Sequence, residues 1–220
     1  MIKLLSNINA AIFDLDGTLI DSLWIWNEID KQYLKNHNIN MPKNLMKNIE
    51  NLSFDESAQY FKKNFNIKDD ICTIKNDWNT MALNYYSNKI KLKPGAKEFL
   101  ILLKSKGIKL GLSTSNFSNL SNAVLKSNNI YNLFDAITTA DEISKNKNSP
   151  DIYLLTAKKL KENPKNCIVF EDILSGIISA KSAGMKVVAV HDIFSESHKN
   201  SIMKVADKYI LEFNDIMKAI

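Results

Sequence analysis

Four short apolar runs, separated by segments of helical periodicity, constrain the fold of this chain more than any other feature. They span Ala10–Leu15, Lys109–Ser113, Cys167–Phe170 and Lys186–Val190, with weaker runs at Ala136–Thr139 and near Tyr209–Leu211. Continuous apolar runs of this length are typical of strands that are buried on both faces of a parallel sheet. Their alternation with helices predicts an α/β fold built on a doubly wound, mostly parallel sheet.

Turn residues mark where the intervening helices begin and end. Pro94-Gly95-Ala96 and Ser149-Pro150-Asp151 each predict a helix start with proline in the first turn, and Ser149 is the predicted N-cap of the second helix. Ser175-Gly176 predicts a third helix start. Gly107 and Gly184 predict two helix ends.

One long region breaks this alternation. From about Ser22 to Lys91 the apolar residues recur only at helical spacing, and this stretch is far longer than a strand-to-strand crossover needs. It predicts an inserted helical cap over the carboxyl edge of the sheet, where α/β folds bind ligands. The predicted division is residues 1–20 and 92–220 for the α/β core and residues 21–91 for the cap. We expect most of the cap aromatics to form its core.

Composition narrows the classes of partner. The formal net charge is +5, and the basic residues are scattered lysines, since the chain contains no arginine. A nucleic-acid interface would need a basic patch with aromatic or groove-reading partners. A membrane span would need about 18 consecutive apolar residues. The sequence offers neither, so we expect no nucleic-acid and no membrane partner.

Two cysteines and the first residues bear on location. Cys72 and Cys167 lie far apart in unrelated contexts, which indicates a reduced, cytoplasmic protein. The segment Met1–Leu5 has a faint likeness to a signal peptide, but it continues into the first apolar run, so we interpret it as part of the fold. The sequence leaves the oligomeric state open, and a monomer is compatible with it.

A pair of aspartates follows the first apolar run. Asp14 and Asp16 are two residues apart, so in an extended chain their side chains point to one side, and Gly17 permits a turn immediately afterwards. A carboxylate can accept a phosphoryl group as an aspartyl phosphate. That chemistry also needs a metal, an acid/base and donors for the phosphoryl oxygens. The pair therefore supplies a candidate nucleophile, a second carboxylate and part of a metal site.

Candidate oxyanion donors follow the second run. Thr114, Ser115 and Asn116 offer hydroxyl, amide and backbone donors close to a predicted helix N-terminus. Plain N-capping of that helix would explain them equally well.

A lysine and two further acids complete the set. Lys147, shortly before Ser149, could place a point charge between a nucleophile and a phosphate, and Lys145 is the competing candidate. Glu171 and Asp172 end the third run, where two acids are costly unless they are paired or bind a metal. Their hard oxygen ligands suit Mg²⁺.

These elements, in this order, resemble the motifs of the haloacid dehalogenase (HAD) superfamily along essentially the whole chain. The matching residues are Asp14-Leu15-Asp16-Gly17-Thr18, Thr114, Lys147 and Glu171-Asp172. The inserted helices resemble the α-helical cap of the subgroup that holds small-molecule phosphatases and β-phosphoglucomutase. The implied fold is a Rossmann-like HAD core with that cap.

The resemblance also implies roles for these residues. Asp14 would be the nucleophile and Asp16 the general acid/base, while Thr114 and Lys147 would position the phosphoryl group. Mg²⁺ would be held by Asp14, the backbone carbonyl of Asp16 and Asp172, with Glu171 in or near its coordination shell.

The third motif departs from the family pattern. Where the family commonly has Gly-Lys-Pro-x-Pro-Asp, this chain has Asn146-Lys147-Asn148-Ser149-Pro150-Asp151. The spacing to Pro150-Asp151 favours Lys147 over Lys145. Loss of the first proline makes this loop less rigid.

Two residues bear on the reaction. Asp16 favours phosphoryl transfer over dehalogenation, because a second acid can protonate a leaving alkoxide. The sugar-phosphate mutases that the chain resembles use a cap arginine for a second phosphate, and Phe54 aligns with that position. Lysines such as Lys47 could replace it only as point charges. We therefore expect a phosphatase acting on a small phosphorylated metabolite. A β-phosphoglucomutase-like enzyme and a non-catalytic phosphate-binding module are the alternatives.

Overall fold

The computed structural model describes residues 5–49, 52–143 and 149–217. The chain divides into two compact units. The first, here called the sheet unit, comprises Met1–Leu23 and Ile90–Ile220. The second, the helical unit, comprises Trp24–Lys89.

The described part of the sheet unit is built on a six-stranded parallel sheet with the order β5-β4-β1-β6-β7-β8. The strands are β1 (Ala10–Phe13), β4 (Lys109–Ser113), β5 (Ala136–Thr138), β6 (Cys167–Glu171), β7 (Lys186–Val190) and β8 (Lys208–Ile210). The chain passes from β1 outward on one side and returns to build the other side from β6. The strand order therefore reverses at β1, and the doubly wound fold is confirmed.

Helices precede, connect or follow these strands. They are α5 (Ala96–Ser105), α6 (Ser118–Ser127), α7 (Asp151–Leu160), α8 (Leu174–Ser182), α9 (Lys199–Val205) and α10 (Phe213–Met217). Every residue of β1 is fully buried. On one face of the sheet, Phe13 stacks on Phe170 of β6 with ring centroids 4.6 Å apart. On the other, Ile12 belongs to an apolar cluster with Val169 and Tyr153. Burial on both faces explains the unbroken apolar runs.

Strands β2 (Ile20–Asp21) and β3 (Lys91–Leu92) form a separate, two-stranded antiparallel sheet. Ile20 pairs with Leu92 and Asp21 with Lys91, so the segment that leads to the helical unit lies beside the segment that returns from it. Lys91 was expected in the purely helical region. It is a strand residue because Asp21 pairs with it.

All three predicted helix starts are displaced. Helix α8, predicted to begin at Ser175-Gly176, begins one residue earlier, at Leu174. Helix α5 begins after Pro94, because Gly95 is left-handed with φ +77° and cannot be part of a right-handed helix. The prediction that Ser149 caps α7 is wrong. Pro150 occupies the N-cap position with φ −67° and ψ −4°, one residue further along the chain.

The helical unit contains α1 (Ile25–Asn36), α2 (Leu45–Ile49), α3 (Phe54–Asn64) and α4 (Ile71–Asn88). Ser53 forms a capping box with Glu56 at the start of α3, and the Asp70 side chain caps α4. Trp78 lies at the centre of the aromatic core, with its ring 4.9 Å from that of Phe61. Of the aromatics expected in this core, three are buried: Phe61, Trp78 and Tyr86. Five are half-buried: Trp24, Trp26, Phe54, Tyr60 and Tyr85.

Among the residues that the structure describes, no helix combines the length and the apolar composition that crossing a membrane requires.

Candidate active site

Three acidic side chains meet at the carboxyl ends of β1 and β6. These strands are neighbours with Phe13 opposite Phe170, so the residues that end or follow them lie side by side. Asp14, Glu171 and Asp172 each contribute a carboxylate oxygen to a group in which these oxygens lie within 4.8 Å of one another. All three residues are buried. Three carboxylates this close repel one another, and burial strengthens the repulsion.

The acidic cluster fits a divalent cation. Its donors are hard carboxylate oxygens on two adjacent strands, the ligand type that Mg²⁺ and similar cations prefer. The sequence predicted Asp14, Glu171 and Asp172 as parts of one metal site, and the structure brings these three together.

Asp172 is packed closely against the turn that follows β1. The buried Thr18 hydroxyl donates to Asp172 Oδ1 at 2.8 Å. Gly17 has φ +83°, and a Cβ atom there would lie 2.5 Å from Asp172 Oδ2. Glycine is therefore required both for the turn and for the approach of Asp172, and the predicted turn at Gly17 is confirmed.

Asp16 is half-buried and is held by two side-chain donors. The Ser22 hydroxyl donates to Asp16 Oδ1 at 2.7 Å, and the Asn116 side-chain amide donates to Asp16 Oδ2 at 3.1 Å. The backbone N–H of Gly17 donates to the carbonyl oxygen of Ile20 at 3.0 Å and closes the turn beneath them. The Asp16 carboxylate is thus oriented by one residue that follows β2 (Ile20–Asp21) and one that comes shortly after β4. A role for Asn116 in phosphate binding stays a prediction.

Thr114 and Ser115 follow β4, the other neighbour of β1. The backbone N–H of Thr114 donates to the carbonyl oxygen of Thr138 at 3.0 Å, and its hydroxyl oxygen accepts from the backbone N–H of Asn116. Helix α6 starts only at Ser118, and its N-cap residue, Phe117, makes no side-chain capping bond. Plain capping of α6 therefore does not account for Thr114.

A cavity of about 190 Å³ joins these groups. Its lining residues are Asp14, Asp16, Leu23, Thr114, Ser115, Glu171, Asp172 and Ile173. Six of them were predicted site residues, and the apolar Leu23 and Ile173 were not. Lys147 and its competitor Lys145 lie outside the described residues.

Glu171 is held by donors of its own. The Tyr153 hydroxyl donates to Glu171 Oε2 at 2.8 Å, and the backbone N–H of Ile173 donates to Oε1 at 3.1 Å. Burial raises the pKa of the Tyr153 hydroxyl well above its ordinary value, and the negative charges of the acidic cluster raise it further. The hydroxyl therefore keeps its proton and remains a donor.

Sequence reasoning missed Thr18, Ser22 and Tyr153. Thr18 and Ser22 lie in the same short segment as the two aspartates, where hydroxyl residues beside paired acids were a usable signal. Tyr153 had no comparable signal, because its contact with Glu171 joins α7 to β6 and depends on the tertiary fold.

Comparison with known proteins gives concordant matches. Residues 11–190 match the haloacid dehalogenase-like hydrolase family. The chain is 30% identical over 188 residues to a phosphorylated carbohydrates phosphatase of Thermotoga maritima, covering 84% of this chain and 87% of that protein. It is also 30% identical over 212 residues to a bifunctional riboflavin kinase/FMN phosphatase of Arabidopsis thaliana. That match covers 94% of this chain but only 54% of the longer plant protein.

A solved structure has the same fold over its full length. It is a Thermotoga maritima protein provisionally assigned as a β-phosphoglucomutase, with a TM-score of 0.86 and 27% sequence identity. The match covers 97% of this chain and 100% of that one.

Proposed function

The chain belongs to the haloacid dehalogenase-like hydrolases, and on that basis we propose that it is a phosphoric monoester hydrolase working through an aspartyl phosphate on Asp14. Its substrate is a small phosphorylated metabolite. The observation that carries this proposal is the convergence of Asp14, Glu171 and Asp172, with their carboxylate oxygens within 4.8 Å of one another, in a cavity that Asp16 also lines.

Asp14 is the proposed nucleophile. Its backbone N–H donates to the carbonyl oxygen of Phe170 at 2.9 Å, which fixes the residue at the end of β1. A carboxylate oxygen of Asp14 attacks phosphorus, and the bond between phosphorus and the leaving oxygen breaks. The products of this step are an aspartyl phosphate and the leaving alcohol.

Asp16 is the proposed acid and base. In the first step it gives a proton to the leaving oxygen. In the second it takes a proton from the attacking water, the phosphorus–Asp14 oxygen bond breaks, and inorganic phosphate leaves. The hydrogen bonds from Ser22 and Asn116 support this assignment, because they orient a carboxylate that lines the same cavity as Asp14.

Mg²⁺ is the proposed cofactor. The Asp14 and Asp172 carboxylates and the backbone carbonyl of Asp16 would hold it, with Glu171 in or beside the shell. When bound, the cation offsets negative charge on the phosphoryl oxygens. Family membership and the donor set of the acidic cluster support this choice.

Phosphate positioning falls to the residues after β4 and to a lysine. Thr114 and Ser115 line the cavity and are proposed donors to the phosphoryl oxygens. Lys147 is the proposed cationic partner, on the basis of its place in the sequence.

The free cysteines, Cys72 and Cys167, support a cytoplasmic location for the enzyme.

Hydrolysis is preferred to phosphomutase chemistry. A mutase must hold a second phosphate, for which a planar, bidentate arginine is well suited, and this chain contains no arginine. A panel of phosphorylated metabolites with Mg²⁺ tests the choice, provided that it includes both anomers of glucose 1-phosphate with a bisphosphate primer. We expect release of inorganic phosphate. Conversion to glucose 6-phosphate would replace the hydrolase with a mutase.

Replacement of the nucleophile gives the sharpest test. Asp14→Asn should lower turnover by roughly 10³-fold or more, because a neutral amide cannot form the covalent intermediate. Acid-quenched samples analysed by intact mass spectrometry should contain phosphoenzyme in the wild type but not in this variant. Asp16→Asn is the matched control, since it leaves the nucleophile in place and slows both half-reactions. Undiminished turnover by Asp14→Asn would refute the mechanism.

A further inference from the structure

A buried hydrogen bond between Tyr153 and Glu171 connects helix α7 to the acidic cluster. Resting on the metal site of the proposed function, we propose that Tyr153 is a positioning residue that fixes the Glu171 carboxylate and thereby sets the affinity of the cluster for its divalent cation. The residue lies in α7, outside the motifs that identify the family.

Packing leaves the Tyr153 side chain little freedom. The residue is fully buried, and its ring belongs to the apolar cluster that includes Ile12, Val169 and Ile177. An aromatic ring enclosed in this way has few accessible rotamers, so the position of its hydroxyl is fixed by the core of the sheet unit. The hydroxyl lies 2.8 Å from Glu171 Oε2.

Glu171 is restrained from two further directions. The backbone N–H of Ile173 donates to Oε1 at 3.1 Å. Gly176, in the first turn of α8, leaves the space that the carboxylate needs, because a Cβ atom there would lie 2.5 Å from Glu171 Cδ. Each Glu171 oxygen thus has a donor, and the carboxylate lies against the helix.

This restraint matters because of the neighbouring charges. Asp14 and Asp172 each place a carboxylate oxygen within 4.8 Å of Glu171, and repulsion among them favours any rotation that separates them. A hydrogen bond from a neutral hydroxyl to a carboxylate is a strong, charge-assisted interaction. It opposes that rotation and keeps the oxygens close enough to share one cation. Partners of metal-ligating groups commonly change metal affinity in this way.

The test measures cation binding by the metal-free full-length protein. Tyr153→Phe removes only the hydroxyl oxygen and retains the buried ring. Titration with Mg²⁺ or Mn²⁺, followed by calorimetry or by the electron paramagnetic resonance of Mn²⁺, should give a Kd raised by roughly 10- to 100-fold. Tyr209→Phe is a matched control, because its hydroxyl is also bonded, to His191 Nδ1 at 2.8 Å, in a different part of the sheet unit. Its Kd should equal that of the wild type.

A purely structural role for Tyr153 makes different predictions. It would lower the Tm of the metal-free protein while leaving the cation Kd unchanged, and that result would overturn the proposal. Under the proposal, excess Mg²⁺ restores the kcat of Tyr153→Phe towards the wild-type value. Failure of rescue at saturating cation would also contradict it.

A double-variant comparison tests whether the effect of Tyr153→Phe passes through Glu171. In a Glu171→Gln background, Tyr153→Phe should cause no further loss of affinity, because its effect passes through Glu171. An additional tenfold loss would refute that route. The proposed function fails separately: a wild-type protein that binds no divalent cation would remove the metal site itself, whereas an unchanged Kd in Tyr153→Phe would remove only the role of Tyr153.

Discussion

The two units bury acidic side chains in contrasting ways. In the sheet unit, Glu171 and Asp172 receive hydrogen bonds from the Tyr153 and Thr18 hydroxyls and converge on a third carboxylate. In the helical unit, Asp30 is buried in α1, and desolvation raises its pKa to about 7. Acids that lie together and receive hydrogen bonds from specific donors indicate a functional site. An acid whose pKa is raised by burial alone indicates instead that the fold loses stability when this acid is ionised.

The cores of the units also differ. In the sheet unit, Phe13 and Phe170 stack between parallel strands, directly before the acids that end or follow those strands. In the helical unit, Trp78 contacts Tyr33, Phe54 and Phe61, with ring centroids 5.7, 5.4 and 4.9 Å away. The first core places the acids of the candidate site, and the second packs the three helices α1, α3 and α4 against one another. The predictions below test that division.

Trp78→Ala should have the largest effect on stability. Removal of a buried indole leaves a cavity among three aromatic rings and should lower the free energy of unfolding by about 3–5 kcal/mol. Urea denaturation followed by circular dichroism measures this loss. Trp26→Ala is the control, because Trp26 is half-buried and its ring meets that of Phe54 edge-on, with centroids 6.0 Å apart. Equal losses in the two variants would contradict a core centred on Trp78.

Asp30 should make the stability depend on pH. Its folded-state pKa of about 7 exceeds the ordinary aspartate pKa of 3.8, so the folded protein binds the proton more tightly than the unfolded chain does. The contribution of protonated Asp30 to the free energy of unfolding is fully present below about pH 4 and is lost as pH rises through 7. The loss is at most about 4 kcal/mol. Asp30→Asn should remove this dependence. Urea denaturation across pH 4–8 should show that the free energy of unfolding of the variant increases relative to that of the wild type as pH rises. Parallel plots of unfolding free energy against pH for the two proteins would refute the assignment.

His37 should contribute a smaller effect of the same sign. Its Nδ1 lies 3.0 Å from the carbonyl oxygen of Tyr33 and its Nε2 lies 3.0 Å from Asp69 Oδ2. Both partners are acceptors, so only the doubly protonated ring satisfies both. The hydrogen bond to the Tyr33 backbone is the main cause that raises the pKa of His37.

The stabilisation by His37 is therefore present below its unfolded pKa and is lost as pH rises through the folded value. Because the ring is partly exposed, His37→Gln should cost less than about 1 kcal/mol at pH 6 and nothing at pH 9. Unfolding free energies at the two pH values measure this difference. A loss that persists at pH 9 would show that packing, and not charge, is responsible.

The strands were predictable because burial on both faces leaves a continuous apolar signature. Lys109–Ser113 and Lys186–Val190 have the predicted bounds. The first run was predicted to Leu15, but β1 ends at Phe13, because the turn through Gly17 has already begun. Helix starts were less predictable, since the conformation of Gly95 and the cap at Pro150 depend on local backbone geometry that several sequences can satisfy.

The acids of the site were predictable, but which hydroxyl contacts which buried acid was not. Parallel strands bring their carboxyl ends to one edge, so Asp14 and Asp172 could be placed together from their positions after apolar runs. The hydroxyl partners depend on contacts between distant segments: Thr18 and Asp172 are 154 residues apart in the chain. Such pairs leave no local periodicity to detect.

The pairing of β2 with β3 brings the two ends of the intervening segment, residues 22–90, next to each other. Ile20 lies opposite Leu92, so the points where the chain leaves and re-enters this strand pair are separated only by the spacing of adjacent strands, roughly 5 Å. A tight hairpin could bridge that gap, and so could an unrelated insert of any length. Changes in the length or sequence of residues 22–90 are therefore compatible with an unchanged β2–β3 pair.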